Sequence, residues 1–486
     1  MSDYGLSKSK ILSGLQCPKR LYLEVHNPEL AEESDLARVF AIGHEVGEVA
    51  RQLYPDGKLI EHDDSMSAAL KETRRLLKEA PKTPFFEATF AHRGVLVRAD
   101  IFKKGNKKYR LVEVKASTAV KEYYLSDCAV QAWVIKGAGY PLERIEIAHV
   151  DNTFVYPGNG EYGGLLHYED VTKAIFELRK EVSGWVEQFK SLLKGKMPDM
   201  EAGGQCSSPY ACQFQDHCWQ GLPEYPVSIL PYGEKISAEL LSEGIEDIRD
   251  IPEGRLEKDS HERVRRVTVT GRAELDHEAG EYLNSFPCPR YYLDFETINF
   301  AVPIWAGTRP YQQLPFQWSC HIKGKRGKIR HVEFLDTTGN APMRSCAEKL
   351  LATLGDNGPI MSYGSFEKTR LKELGEMFPD LAGGLNKLRD RVVDLLPLVR
   401  KHYYHPDMKG SWSIKHVLPT VAPELDYGNL DEVQDGSGAQ IAYLEAISPE
   451  TSKSRRAKLK TRLRQYCKMD TLGLVKLAEF FQEGMR

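Results

Sequence analysis

Two apolar runs flanking a short turn constrain the first half of the chain more tightly than any other feature. Val95 to Phe102 and Tyr109 to Val114 are rich in β-branched and aromatic residues, and Lys103-Lys104-Gly105-Asn106-Lys107-Lys108 between them is turn chemistry. The pattern predicts a hairpin. Asp100 falls near the end of its first strand and Glu113 near the end of its second. Lys115, two residues beyond Glu113, projects from the same face because side chains alternate along a strand. Two carboxylates and an ammonium meeting at a sheet edge are what metal-assisted phosphodiester hydrolysis needs. The carboxylates supply hard oxygen ligands for Mg²⁺ or Mn²⁺, and the cation orients a nucleophile or offsets developing charge. The bland alternative for the same residues is a solvated, charged strand end.

The residues around this hairpin fall in a definite order. His44 lies in Phe40-Ala41-Ile42-Gly43-His44-Glu45-Val46-Gly47, within a helix predicted between Pro28 and Leu53, and Glu87 lies in Phe85-Phe86-Glu87-Ala88. Gln131, with Tyr124, belongs to a helix predicted from about Lys121 to Lys136, and Arg144 to Val150 reads as a further strand. Taken singly, His44 reads as a helix-surface or core histidine and Gln131 carries no signal. Together with Arg98-Ala99-Asp100 and Glu113-Val114-Lys115, the ordered set resembles the PD-(D/E)XK nucleases of the RecB type. That resemblance implies an α/β, restriction-endonuclease-like core. In it Asp100, Glu113, Lys115 and Gln131 are catalytic and His44, Asp100 and Glu113 hold the metal, while Glu87 matches a glutamate often found on the preceding strand.

Cysteine placement adds a second constraint. Cys17 stands alone near the start, while Cys206, Cys212 and Cys218 follow the nuclease-like core at even spacing, after a helix predicted over Val171 to Lys194. Four thiolates suit either a 4Fe-4S cluster or a zinc ion, and His217 is an alternative donor. RecB-like nucleases of the CRISPR-associated type place one cysteine before the core and three after it, so the resemblance implies the iron-sulfur cluster. The first pair of the trio is wider here than is usual in them. Such a site closes a loop of nearly two hundred residues, a tie worth about 3 to 5 kcal/mol if it acts as a cross-link. Cys128, Cys288, Cys320, Cys346 and Cys467 sit in apolar or mixed settings and read as small buried hydrophobes. Ser7 to Glu24 reads as one helix carrying Cys17, and Asp63 to Ala80 as an amphipathic packing helix with Leu70, Leu76 and Leu77 on its apolar side.

A second acidic strand opens the last third of the chain. Arg290-Tyr291-Tyr292-Leu293-Asp294-Phe295-Glu296-Thr297 places Asp294 and Glu296 on one face. Strands follow at Pro315 to Ile322 and Ile329 to Phe334 around a basic turn. Ile360-Met361-Ser362-Tyr363-Gly364-Ser365-Phe366-Glu367 reads as a strand entering a helix, and Tyr466 and Asp470 share a helix face one turn apart. In this order the motifs resemble those of the DnaQ-like, or DEDD, exonucleases in their tyrosine form, with Glu367 where that family usually has aspartate. The resemblance implies an RNase H-like domain in which Asp294, Glu296, Glu367 and Asp470 bind two divalent ions and Tyr466 orients the attacking water. Asp394 reads as the cap of a helix starting at Leu395, and Ser413-Ile414-Lys415 reads as a substrate contact. His402, Tyr403, Tyr404 and His405 either stack on bases or pack. Lys453 to Arg464 carries seven Lys/Arg and no acid; it is either a solvated face or a phosphate contact.

Length accommodates two or three domains, expected here as 1–222 (RecB-like, with the cluster), 223–285 (a helical linker of which Leu240 to Ile248 resembles half of a helix-hairpin-helix) and 286–486 (DnaQ-like). A formal charge of −3 with 28% charged residues gives no global basic balance, so a nucleic-acid partner would have to be held by local charge. No apolar run reaches membrane-spanning length and Met1 to Lys10 lacks a signal-peptide core, so a cytoplasmic protein with no membrane partner is expected. Together the two resemblances imply a metal-dependent (exo)deoxyribonuclease in repair, recombination or CRISPR-related processing, with a helicase or CRISPR-adaptation protein as the implied partner. RNA is the alternative substrate, and a nucleic-acid-binding scaffold with one or both sites inactive is the alternative class.

Overall fold

Proline at position 18 decides how the chain begins. The computed structural model describes residues 5–32, 36–61, 65–425, 428, 430 and 432–484. Strand β1 (Leu6–Ser7) leads into α1 (Lys8–Gln16), where the Ser7 hydroxyl accepts from the Lys10 N–H, and α2 (Pro18–His26) follows. The single helix predicted over Ser7 to Glu24 is therefore two. A residue before proline is driven out of the α region, and Cys17 is extended at φ −158° and ψ 116°.

The chain continues through α3 (Leu36–Gln52), β2 (Lys58–Leu59), α4 (Met66–Glu79), β3 (Phe85–His92), β4 (Val95–Lys104) and β5 (Tyr109–Lys115). Next come α5 (Glu122–Gly137), β6 (Leu142–Val150), β7 (Leu166–Asp170), α6 (Thr172–Leu178), α7 (Val182–Leu192) and the short α8 (Gln215–Cys218). Asp63, the predicted start of the amphipathic helix, lies outside the described residues; α4 buries Leu70, Leu76 and Leu77 as its pattern predicts. The helix predicted over Val171 to Lys194 is interrupted between α6 and α7, where the backbone tightens into i→i+3 bonds at Lys180, Glu181 and Val182.

In the first sheet the order is β2-β3-β4-β5-β6-β7, with β1 parallel to the start of β4. The predicted hairpin is present: β4 and β5 are antiparallel from Lys104/Tyr109 to Ile101/Val112. Beyond Asp100 the two strands part, and β1 takes over β4 at Val95 and Leu96. β5 and β6 are parallel and joined through α5, the crossover that parallel strands require.

Two compact units result, one of Met1–Gly221 with Phe300–Gln312, the other of Leu222–Asn299 with Gln313–Arg486. Ala301 shares a first-unit core with Val46, Ile101 and Val150, and the Tyr311 hydroxyl donates to the Ala116 carbonyl.

The second unit begins with α9 (Glu234–Ser242), α10 (Asp259–Thr270), β8 (Glu274–Leu275) and α11 (Glu278–Asn284). This stretch is not a free-standing linker. Leu240, Val264, Val267 and Leu283 share one core with Tyr292, Met361, Leu395 and Leu477. Then follow β9 (Arg290–Ile298), β10 (Leu314–Lys323), β11 (Ile329–Leu335), α12 (Met343–Leu354), β12 (Ile360–Ser362), α13 (Phe366–Met377), α14 (Ala382–Asp390) and β13 (Val392–Asp394). The chain ends with α15 (Leu396–His402), β14 (Tyr403–Tyr404), α16 (Ile414–Val421), α17 (Gly436–Ile447) and α18 (Lys453–Glu483). The sheet order is β11-β10-β9-β12-β13, with β9, β10 and β11 antiparallel and β12 parallel to both β9 and β13. Leu459, Leu463, Tyr466, Cys467 and Leu474 are buried along one face of α18, which packs against β9 and β10. Among the described residues no helix is long and apolar enough to cross a membrane.

Candidate active sites

In the first unit the hairpin delivers its acids to one place. The Glu113 carboxylate, 1% exposed, accepts from Lys115 Nζ at 2.7 Å, Lys8 Nζ at 3.0 Å and Gln131 Nε2 at 2.6 Å. Asp127 completes the set, accepting from Lys115 at 2.7 Å, Lys8 at 2.9 Å and Gln131 at 3.0 Å. Two ammonium groups thus bridge two buried carboxylates. Burial alone would lower both lysines, but Asp127 and Glu113 outweigh it and hold Lys8 and Lys115 above their ordinary range. Asp127 is held low because the two lysines overcome its own burial. The Lys115 ammonium also lies 5.2 Å from the Tyr124 ring centre, a cation–π distance.

Asp100 stands beside this network. Its Oδ2 accepts from the Val114 N–H at 2.7 Å, and burial, with Glu113 next, pushes its carboxyl up to about 8. Asp100, His44 and Glu87 line one cavity of about 220 Å³ together with Arg51 and Val114. Glu87 faces Asp100 across β3 and β4, since its neighbours pair as Phe86 with Ile101 and Ala88 with Ala99. It holds a left-handed φ of 58° and accepts from Arg98 at 2.9 Å. The sequence-expected residues therefore form two adjoining groups. His44, Glu87 and Asp100 share the cavity, whereas Glu113, Lys115 and Gln131 form the ammonium-carboxylate network behind it. Lys8 and Asp127 were not foreseen. Asp127 had a signal, since it sits four residues before Gln131 on the same helix face; Lys8 had none.

The cysteine site assembles from opposite ends of the first unit. Cys17, Cys206, Cys212 and Cys218 line a single pocket with Lys19, Arg20, Met200 and Phe214. The break before Pro18 places Cys17 there, and the Cys212 N–H donates to the Cys206 carbonyl at 2.8 Å. None of the four is in a disulfide. Burial raises Cys212 and Cys218, while Arg20 and Lys19 respectively pull them down. Four sulfurs facing two cations form a donor set that fits an anionic thiolate-bound metal centre. His217 does not line the pocket.

In the second unit four carboxylates gather, with Lys415 acting against Glu296 and Arg370 against Glu367. Asp294 and Glu296 project from β9; Glu367 is in the first turn of α13 and Asp470 on α18. Burial raises Asp294 well above the carboxylate range, and Asp470, Glu296 and Glu367 raise it further. Glu296 is raised by burial, then by Asp470 and Glu367, with Lys415 the cation opposing them. Burial pushes Glu367 up to about 8, and its Oε2 has no hydrogen-bond partner. An unpartnered buried carboxylate oxygen among three further acids fits divalent cations, which would satisfy it and offset the repulsion. Tyr466 is 5% exposed on the same stretch of α18. Cys467, expected as a plain buried hydrophobe, lies with its sulfur 3.6 Å from Asp294 Oδ2.

The surrounding residues sort cleanly. Asp394 accepts from the N–H groups of Leu396 at 2.9 Å and Gly364 at 2.7 Å, so it fixes both the start of α15 and the loop before Glu367. Tyr403 and Tyr404 are 1% and 0% exposed, which decides for packing over stacking on bases. His402 is bonded to Asp276 at 3.1 Å. The basic run is mostly internal: Arg455 pairs with Glu445 and Glu432, Arg456 donates to the carbonyls of Ala446 and Ser448, and Arg464 pairs with Glu333. Lys453 and Lys458 remain exposed.

A family model described as a domain of unknown function, DUF2779, matches residues 291–413. The match takes in Asp294, Glu296, Glu367 and Asp394 and stops before Lys415, Tyr466 and Asp470. No curated protein matches the chain.

Proposed function

We propose that the protein is a metal-dependent nuclease with two phosphodiester-cleaving sites, acting on DNA or RNA strands. The observation that carries this reading is the clustering of Asp294, Glu296, Glu367 and Asp470, two of them buried and two half-buried, whose mutual repulsion bound cations would relieve. Mg²⁺ or Mn²⁺ held there would supply an acidified water and positive charge against the scissile phosphate. The chain's own residues would hold the ions in place, with Tyr466 orienting the nucleophile. Five strands in the order β11-β10-β9-β12-β13 under a long helix suit the RNase H-like, DnaQ-type reading. Glu367 in place of aspartate lengthens one ligand by a methylene, which suits a slower site.

For the first unit, a hairpin carrying Asp100, Glu113 and Lys115 beside a parallel β5-α5-β6 crossover suits a PD-(D/E)XK core. His44, Glu87 and Asp100 are the residues that would hold an ion in the cavity. Lys8 and Lys115 would hold Glu113 in place. The four thiols suit a 4Fe-4S cluster with a structural role. A second reading, in which the first unit binds nucleic acid without turnover, is favoured by one observation: both carboxylates of its network are already saturated by ammonium groups.

The test is cleavage of labelled single- and double-stranded DNA and RNA with Mg²⁺ or Mn²⁺, comparing wild type with Lys115→Ala and Asp294→Ala. Loss of more than about 100-fold, above the effect of a lost outer-shell partner, is expected in Asp294→Ala for the activity of the second unit. Absence of metal-dependent cleavage on every strand would sink the nuclease reading. Iron and labile sulfide in an anaerobic preparation, lost in Cys17→Ser, test the cluster; stoichiometric zinc would replace it.

A further inference from the structure

A cavity of about 580 Å³ in the second unit, outside the carboxylate quartet, has walls of an unusual kind. Three aromatic side chains, Tyr232, Tyr363 and Trp412, line it with Leu396, Ser413 and one guanidinium, Arg400. Among the described residues no carboxylate lines it. Tyr232 is 78% exposed and holds a left-handed backbone at φ 53°, a conformation that costs a bulky L-residue free energy. Its loop is nevertheless pinned: the Pro231 carbonyl meets His261 Nε2 at 2.8 Å and the Tyr232 carbonyl accepts from Lys258 at 3.3 Å. Tyr363 is equally fixed, because its hydroxyl donates to the Trp412 carbonyl at 2.6 Å and the Trp412 indole donates to the Tyr403 carbonyl at 3.0 Å. Arg400 lines the same cavity, its guanidinium 3.5 Å from the Tyr232 hydroxyl.

The side of the cavity formed by Tyr363, Leu396 and Ile414 runs on into the carboxylate site. Tyr363 precedes Gly364, whose N–H is held by Asp394, and α13 with Glu367 begins two residues later. Leu396 is bonded to the same Asp394, and Lys415, which opposes Glu296, follows Ile414 at the cavity rim. An exposed aromatic and a second, fixed one in the same cavity, with Arg400 the cation that lines it, match a flat ring joined to an anion.

We propose that this cavity clamps one unpaired nucleotide of a single-stranded nucleic acid, its base against Tyr232 and Tyr363 and its phosphate on Arg400, next to the linkage presented to the quartet. The inference rests on the nuclease reading of the second unit and assigns it a strand preference. It also gives the 223–285 segment a part in binding, since Tyr232 comes from that segment. Inside a duplex each base is paired and stacked on both faces, so none can be splayed out against Tyr232 and Tyr363.

The full chain in EDTA is titrated by fluorescence anisotropy with a single-stranded DNA oligomer, the same sequence in RNA, and the blunt duplex. Tyr232→Ala is expected to weaken single-strand binding by about tenfold, as loss of one base–aromatic stack does, with Tyr232→Phe restoring it. Arg400→Ala is expected to weaken binding and to reduce the salt slope by about one. Duplex binding is unchanged in all variants. A greater effect on DNA or on RNA supports the clamp and identifies the sugar it prefers. Because the first unit can also hold a strand, a 5-iodouracil oligomer is photocrosslinked and mapped. Adducts at Tyr232 or Tyr363 support the clamp, and adducts confined to residues 1–221 overturn it. Wild-type affinity in both alanine variants overturns it as well, even if Asp294-dependent cleavage persists. Clamp-dependent binding with no metal-dependent cleavage would instead leave the clamp standing and remove the nuclease reading.

Discussion

The two acidic sites handle the same electrostatic problem in opposite ways. In the first unit Glu113 and Asp127 are buried together, but Lys8 and Lys115 sit between them, so the charges are matched by covalently attached cations. In the second unit Asp294, Glu296, Glu367 and Asp470 repel one another, with Lys415 the cation opposing them at Glu296. A site whose neutralising charge is built in folds without help from solution. One whose charge is missing stays protonated or recruits ions, because burial of like charges costs several kcal/mol unless it is compensated. Stability that depends on divalent ions is therefore expected of the second unit and not of the first network.

The largest test of this contrast is Lys8→Met. Breaking a buried ammonium-carboxylate arrangement costs about 3 kcal/mol, the low end of the usual range because Lys115 remains. Chemical denaturation should show that loss in the first unit whether or not Mn²⁺ is present. If Mn²⁺ restores the stability of Lys8→Met, Lys8 is a stand-in for a cation and the contrast between the sites collapses.

Next in size is the effect of Mn²⁺ on the wild type. At a concentration 100 times its Kd, an ion bound only by the folded state stabilises by about 2.7 kcal/mol. The thermal midpoint of the second unit should rise accordingly. In Glu296→Gln the metal-free protein should be more stable than wild type at neutral pH, because one repelling charge is gone, and the Mn²⁺ response should shrink. A metal-free Glu296→Gln less stable than wild type would show that the quartet is satisfied internally.

The smallest concerns the layer behind the quartet. His321 Nδ1 meets the Thr471 hydroxyl at 2.8 Å, Thr471 being the neighbour of Asp470, and Ser319 and His331 extend the network. Burial, with His331 and Lys468 adding to it, pushes His321 from 6.5 down to about 4. A histidine with a depressed value in the folded state takes up its proton more readily when unfolded. Its contribution is therefore present above pH 6.5 and lost as pH falls toward 4. About 1 kcal/mol should disappear between pH 6.5 and about 5.5 in wild type relative to His321→Asn. Superimposable pH profiles would remove this network from the support of Asp470.

How much of this was legible beforehand follows from the range of each interaction. The β4–β5 hairpin and the pairs Glu113/Lys115 and Asp294/Glu296 depend on a two-residue period, and a local pattern is visible in sequence. Tyr466 and Asp470 were equally readable from one helical turn. Lys8 was not, because it reaches Glu113 through the parallel pairing of β1 with β4, about ninety residues away, and no local signal records that pairing. The break at Cys17 was written in Pro18 but is outweighed by helix-forming residues on both sides. The basic run of α18 misled for a different reason. Charge density is visible in a sequence, but the Glu432, Glu445 and Glu333 carboxylates that pair with Arg455 and Arg464 come from elsewhere in the chain.

One feature of the chain's path bears on how the protein can be dissected. Phe300–Gln312 leaves the β9–β10 connection and supplies Ala301 and Tyr311 to the first unit. A gene cut between codons 221 and 222 would thus encode an amino-terminal fragment deprived of part of its own interior. Its carboxy-terminal counterpart would carry a stranded apolar loop. Assigning activities to the halves is better done by silencing one site at a time within the intact polypeptide than by expressing the pieces apart.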